Sequence, residues 1–137
     1  MANKQAIIDF LAQEFPQFSY TIDAVGEQSA TIRHHVAEED LRPGNTVSGP
    51  TLFGIADASL YVAILGKLGI IPLAVTTNMT INFLRRPSAT KDIIGRCMLI
   101  KVGKTLVVGE VYLYSEGTDD PVAHAVGTYA IPPQREG

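Results

Sequence analysis

The stretch TLFGIADASLYVAILGK, residues 51–67, is apolar on nearly every face, and a helix without a polar face has to be enclosed by the rest of its chain. No other feature constrains the fold as strongly. Pro50 occupies a favoured first-turn position, and Ser48 or Gly49 is placed to cap the helix. The chain of 137 residues with 46% hydrophobic content can bury such a helix in one domain spanning residues 1–137. The flanks must supply the cover.

Ahead of the helix, Ile7, Ile8, Leu11 and Phe15 recur at helical spacing and Pro16 ends the run, which predicts a short amphipathic helix. Residues 20–25 and 30–36 alternate and are rich in β-branched side chains, so two short strands joined at Gly26 follow. The segment EEDLRPGNTVSGP is polar and rich in turn formers, a loop. After Gly69 the period changes to two. In residues 73–84, Val75, Thr77, Met79, Ile81 and Phe83 take one face, and Thr76, Asn78, Thr80 and Asn82 the other. Strand-like runs at 92–102, 105–115 and 122–131 are separated by the Gly103 turn and the loop EGTDDP, and these short connections predict hairpins. The tail QREG is expected to fray. The order is α+β, and an antiparallel sheet of this size encloses one long helix by curling around it, the hotdog fold.

A formal net charge of -3 gives no general attraction for nucleic acid or anionic lipid. The N-terminus MANKQAIIDF lacks the basic start and apolar run of a signal peptide, so a cytoplasmic protein with no membrane partner is expected. The lone Cys97 cannot close an intrachain disulfide and reads as a core residue of the run IIGRCMLI. His34 and His35 are adjacent in a strand and point to opposite faces, so they form no metal pair and no metal is expected. His124 reads as a satisfied sheet histidine, and Glu38, Glu39 and Asp40 as a solvated acidic turn. Asp57 is the anomaly. It lies mid-helix among Phe53, Ile55, Ala56, Leu60 and Tyr61 with no lysine or arginine within a turn, and burying an unpaired carboxylate costs several kcal/mol, roughly, unless hydrogen bonds relieve it. Either it bonds a strand backbone or a partner chain, or it is a general base or nucleophile in a dry cleft. The Gly49 amide, in the first turn of the same helix, is suited to stabilise a developing oxyanion.

The string SGPTLFGIAD, from Ser48 to Asp57, resembles the motif of PaaI-like hotdog thioesterases, in which a His-Gly-Gly triplet opens the central helix and an acidic residue follows nine positions after the histidine. TTNMTINFLRRP and KDIIGRCMLIKVGKTL are similar to the family's third-strand segment and the hairpin after it. The resemblance implies hydrolysis of acyl-CoA thioesters to free acid and CoA, with Asp57 as base or nucleophile and the Gly49 amide on the carbonyl oxygen. Coenzyme A is then part of the substrate, and no separate cofactor is implied. Thr76 or Thr77 matches a hydroxyl position contributed across the dimer. Ser48 stands in the histidine place, and Arg42 replaces the usual asparagine, with Asn45 the nearest amide. Arg85, Arg86, Lys101 and Lys104 are either solvated strand ends or a basic rim for the phosphates of coenzyme A. A homodimer or homotetramer is implied. Two other readings stay open: a non-catalytic acyl-CoA-binding or regulatory module, and a dehydratase or hydratase, which would need a histidine where Ser48 stands. Phe53, Leu60 and Tyr61 suit either a short aliphatic or an aryl acyl pocket.

Overall fold

The computed structural model describes residues 1–133, so the tail QREG lies outside the described residues. Helix α1 (Lys4–Glu14) starts at Asn3, whose side-chain oxygen accepts the Ala6 N–H at 2.8 Å, and it buries Ile7 and Leu11. Strands β1 (Thr21–Val25) and β2 (Ser29–His34) form the first hairpin. A short 3₁₀ turn (Glu38–Asp40) and a two-residue hairpin, β3 (Leu41–Arg42) with β4 (Thr46–Val47), interrupt what the sequence predicts as plain loop. Helix α2 (Gly49–Leu68) follows, capped by Ser48 and closed by Gly69 at φ 98°, a left-handed conformation that suits glycine. Four strands complete the chain: β5 (Val75–Phe83), β6 (Ile93–Val102), β7 (Leu106–Ser115) and β8 (Ala123–Ala130).

The sheet runs β1-β2-β6-β7-β8-β5, every pair antiparallel, and α2 packs on its inner face with Ile55, Leu60, Ile64 and Leu65 fully buried. The hotdog fold is thereby borne out. Helix α2 has the length and apolarity to cross a membrane, but here it is the core helix of the sheet. It approaches closely because Gly109 and Gly127, direct partners in β7 and β8, leave room for the methyls of Leu60. A methyl at Gly109 would overlap Leu60, so Gly109→Ala should destabilise the fold by about 1–3 kcal/mol, a typical cost of overpacking. A lowered urea midpoint is the check.

The hairpin expectation holds for β6–β7 and β7–β8. Strand β5 pairs with β8, and the chain then crosses to β6, with β7 and β8 lying between the two. It is an edge strand, and most of it is exposed. Its alternation also breaks. Thr76 faces Tyr129 and Asn78 faces Thr128, which leaves Thr77 as an extra, bulged residue. The bulge reverses the parity, so Thr76 turns toward the helix together with Met79 and Ile81, against the two-face assignment predicted above.

Candidate active site

Asp57 sits two turns into α2, on a face that the sheet does not cover. Pro50 and Phe53 are exposed there, Phe53 to 38%, and Gly54, Asp57 and Ala58 are half-buried. The expectation that the helix is enclosed on all sides thus fails for this one stripe of its N-terminal half. The Asp57 carboxylate is not bare: its Oδ1 accepts the Thr76 hydroxyl at 2.6 Å and the Tyr129 hydroxyl at 2.9 Å. Thr76 reaches Asp57 within its own chain. Tyr129 is only 4% exposed, and burial followed by the charge of Asp57 pushes its phenol well above the usual tyrosine value, so it remains a proton donor.

Next to Asp57 opens a cavity of about 560 Å³. Its walls are aromatic: Phe10, Phe15 and Phe18 from the end of α1 and the turn after it, Tyr20, Tyr61 and Tyr129. Phe15, Phe18 and Tyr20 pack edge to face in series, and Tyr61 stacks on Tyr129 at 6.1 Å. The Tyr20 hydroxyl lies against Gly54, where an added Cβ would be 3.2 Å away. Its phenol is raised by burial, then by Asp40 and Asp57. Of the three residues expected to line an acyl pocket, Tyr61 does so, Leu60 is turned into the sheet, and Phe53 lies on the open stripe.

The start of α2 is a second cluster. The Ser48 Oγ accepts the Thr51 N–H at 3.3 Å and donates to the Thr51 hydroxyl at 2.9 Å, which in turn donates to Asp40 at 3.3 Å. Asp40 is not the solvated turn residue expected. Its other oxygen takes the Ala37 N–H at 2.8 Å and His34 at 2.7 Å; burial alone would raise its carboxyl, but these bonds outweigh it and hold it below the usual range. Ser48 therefore serves as the helix cap. Pro50 carries no N–H, and the Thr51 and Leu52 amides are taken by Ser48, which leaves the Gly49 N–H as the free first-turn donor among the described residues. The ring of Phe83 lies beside it. Gly49 and Asp57 are eight residues apart on one helix, or ~12 Å along its axis, so within one chain they do not address the same carbonyl.

The remaining candidates scatter. Asn45 is exposed at the tip of the β3–β4 turn with φ 56°, and the Thr77 hydroxyl donates to the Thr128 carbonyl at 3.2 Å. Neither joins Asp57. Arg85 donates to the Pro121 carbonyl at 3.0 Å and lies 3.9 Å from Asp120, and Arg86 is exposed beside it. This pair shares the Phe83 end of the sheet with Gly49. Lys101, opposite Val108, and Lys104, in the turn before Leu106, are toward the opposite end, so the four do not form one rim within a chain. His34 and His35 take different carboxylate partners, His124 bonds Glu110, and burial then Glu110 push the Cys97 thiol up to about 12, which keeps it protonated. The sequence reading passed over Tyr129 and Tyr20. The one available signal was that Tyr129 falls at an inward position of its strand.

A curled antiparallel sheet on one long helix, with a carboxylate and an aromatic cavity on the helix's open side, defines a hotdog protein. Residues 44–122 match the Thioesterase superfamily, and the chain belongs to that family and is a thioester hydrolase. It is 44% identical to a candidate thioesterase from Silicibacter sp. TM1040, with a TM-score of 0.87 over 96% of this chain and 92% of that one. The E. coli PaaI protein of the phenylacetic acid degradation operon shares its fold at 23% identity and TM-score 0.72, covering 81% and 82%. A hypothetical thioesterase of Streptococcus pneumoniae TIGR4, solved with coenzyme A, does so at 20% and 0.79, covering 96% and 100%. A search of curated proteins found no match. The resemblance to PaaI-like hotdog thioesterases is borne out. The segment that carries Phe10, Phe15, Phe18 and Tyr20 lies outside the matched residues 44–122.

Proposed function

We propose that this protein hydrolyses acyl-CoA thioesters whose acyl group carries a ring or a comparably compact apolar body, at a site completed by a second copy of the chain. The observation that carries this reading is the Asp57 carboxylate, anchored on one oxygen and set at the wall of an aromatic cavity. As a base, Asp57 takes a proton from water while the water oxygen bonds to the thioester carbon. The tetrahedral adduct then loses its C–S bond, and the leaving thiolate recovers a proton. As a nucleophile, Asp57 bonds to the thioester carbon and expels the thiolate, which takes up a proton, and water opens the resulting anhydride to free acid and Asp57. Both routes need a donor for the oxyanion, and the Gly49 N–H is the candidate. The coenzyme A in the pneumococcal relative supports the thiol half of the substrate. The cavity falls within the usual size of small-molecule sites, about 300–1,000 Å³. A cytoplasmic location is part of this reading.

Thiol release measured across acetyl-, phenylacetyl- and palmitoyl-CoA tests it, with Asp57→Asn as control. Release should be fastest from the phenylacetyl ester. No release from any acyl-CoA would return the chain to the class of binding modules.

The second copy is argued from what one chain leaves open. Strand β5 presents an unpaired edge, Leu73 and Val75 (55%) before its bulge and Phe83 (54%) at its far end are exposed apolar residues, and the Phe53 stripe of α2 is uncovered. Such an edge invites pairing with another chain. Light scattering should show a dimer or a tetramer built of dimers; an active monomer would remove this part of the reading.

Arg85 and Arg86, at the Gly49 end, are the proposed contacts for the phosphates of coenzyme A. Replacing both with alanine should raise KM several-fold with kcat nearly unchanged, because they would touch a part of the substrate remote from the reacting carbon. The effect should weaken with added salt. The same change at Lys101 and Lys104 gives the comparison for the other end of the sheet. An unchanged KM in the arginine variant would leave that pair as solvated strand ends.

A further inference from the structure

We propose that Tyr129 is a positioning residue for Asp57, holding Oδ1 together with Thr76 so that Oδ2 is the oxygen that meets water or the thioester carbon. This rests on the hydrolase reading above and specifies how its carboxylate is aimed. Two hydroxyls donate to the same oxygen, at 2.6 and 2.9 Å, and no donor to Oδ2 is found among the described residues. The convergence is built by the backbone. Thr76 and Tyr129 are direct partners across β5 and β8, and the bulge at Thr77 turns Thr76 inward beside the phenol.

The two anchors differ in stiffness. Thr76 belongs to an exposed edge strand, whereas Tyr129 is in an interior strand between β7 and β5, buried and stacked on Tyr61. The phenol also lies 3.3 Å from the Asp57 carbonyl, so it registers against the helix backbone as well as the side chain. A carboxylate on a one-bond stem keeps three torsional wells open until something selects one. Here the selection comes from the side of the sheet, and an aimed reacting group accounts for a large part of catalytic advantage.

The test is Tyr129→Phe, which deletes the hydroxyl and keeps the ring. It should lower kcat about 10-fold to 100-fold, leave KM for the best acyl-CoA within about twofold, and shift the thermal midpoint little. Thr76→Val, on the exposed edge, should act in the same direction, and Thr76→Ser should restore most of the rate. The double variant Tyr129→Phe/Thr76→Val should lose less than the product of the two single losses, as expected of groups that share one acceptor. If Tyr129→Phe kept wild-type kcat, or if KM rose while kcat held, Tyr129 would be a wall of the pocket and the inference would fail. The outcome is separable from the hydrolase reading, which fails if the wild-type protein releases no thiol from any acyl-CoA, and from the catalytic role of Asp57, which fails if Asp57→Asn retains turnover.

Discussion

Asp57→Asn is expected to lower kcat by about 10²- to 10⁴-fold, the range that a positioned general base contributes, with fold and acyl-CoA binding retained. The surroundings dictate how asparagine must sit. Thr76 and Tyr129 both donate toward Oδ1, so the amide has to present its carbonyl oxygen there. Its NH₂ then occupies the Oδ2 place, where a group that accepts a proton or attacks carbon is needed. The substitution thus preserves the hydrogen bonds and removes the chemistry. Asp57 also has no cation within salt-bridge distance among the described residues, so loss of its charge should leave stability unchanged or slightly higher. Thiol-release kinetics with a parallel thermal melt decide the matter. Wild-type turnover in the variant would make Asp57 a structural tie between helix and sheet.

What could be read from the residues alone divides along a physical line. Helix α2 was legible because its composition forces burial whatever surrounds it, and the motif around Asp57 because it is local. The partner of β5 was not, since alternation reports which faces a strand presents and says nothing about which strand lies next to it. The bulge was invisible for a simpler reason. Thr76 and Thr77 are chemically alike, so a one-residue slip leaves no mark on the pattern. Asp40 shows the same limit: three acids in a row read as solvated, and only the folded chain shows that one is turned inward by His34, Ala37 and Thr51. Tyr129 looks like any inward aromatic of a strand until its hydroxyl is found on Asp57. The aromatic cavity is assembled from both ends of the sequence, with Phe10 and Tyr129 in one wall set. No window along the chain contains it.

The helix geometry makes the composite site testable by mixing two inactive proteins. Gly49 and Asp57 are ~12 Å apart along α2, too far to hold the oxygen and attack the carbon of one thioester. If both act, Gly49 of one copy must face Asp57 of another, and a two-fold dimer then holds two such sites. Gly49→Val should be inactive on its own, because its Cβ would already lie 3.3 Å from the Phe83 ring and the branches would crowd the approach to the amide; losing an oxyanion donor costs about 10²- to 10³-fold. Asp57→Asn is inactive for the reason above. A heterodimer of the two carries one site with both changes and one with neither. Co-expression of differently tagged chains, with random pairing, should therefore recover about one quarter of wild-type activity, since half the dimers are mixed and each has one intact site of two. Tandem-tag purification of the mixed dimer should raise this to about half. If Gly49 and Asp57 served a site within one chain, every combination would contain only damaged sites. Activity no higher than that of either parent would then remove the shared site and leave the Gly49 amide without a role in the reaction.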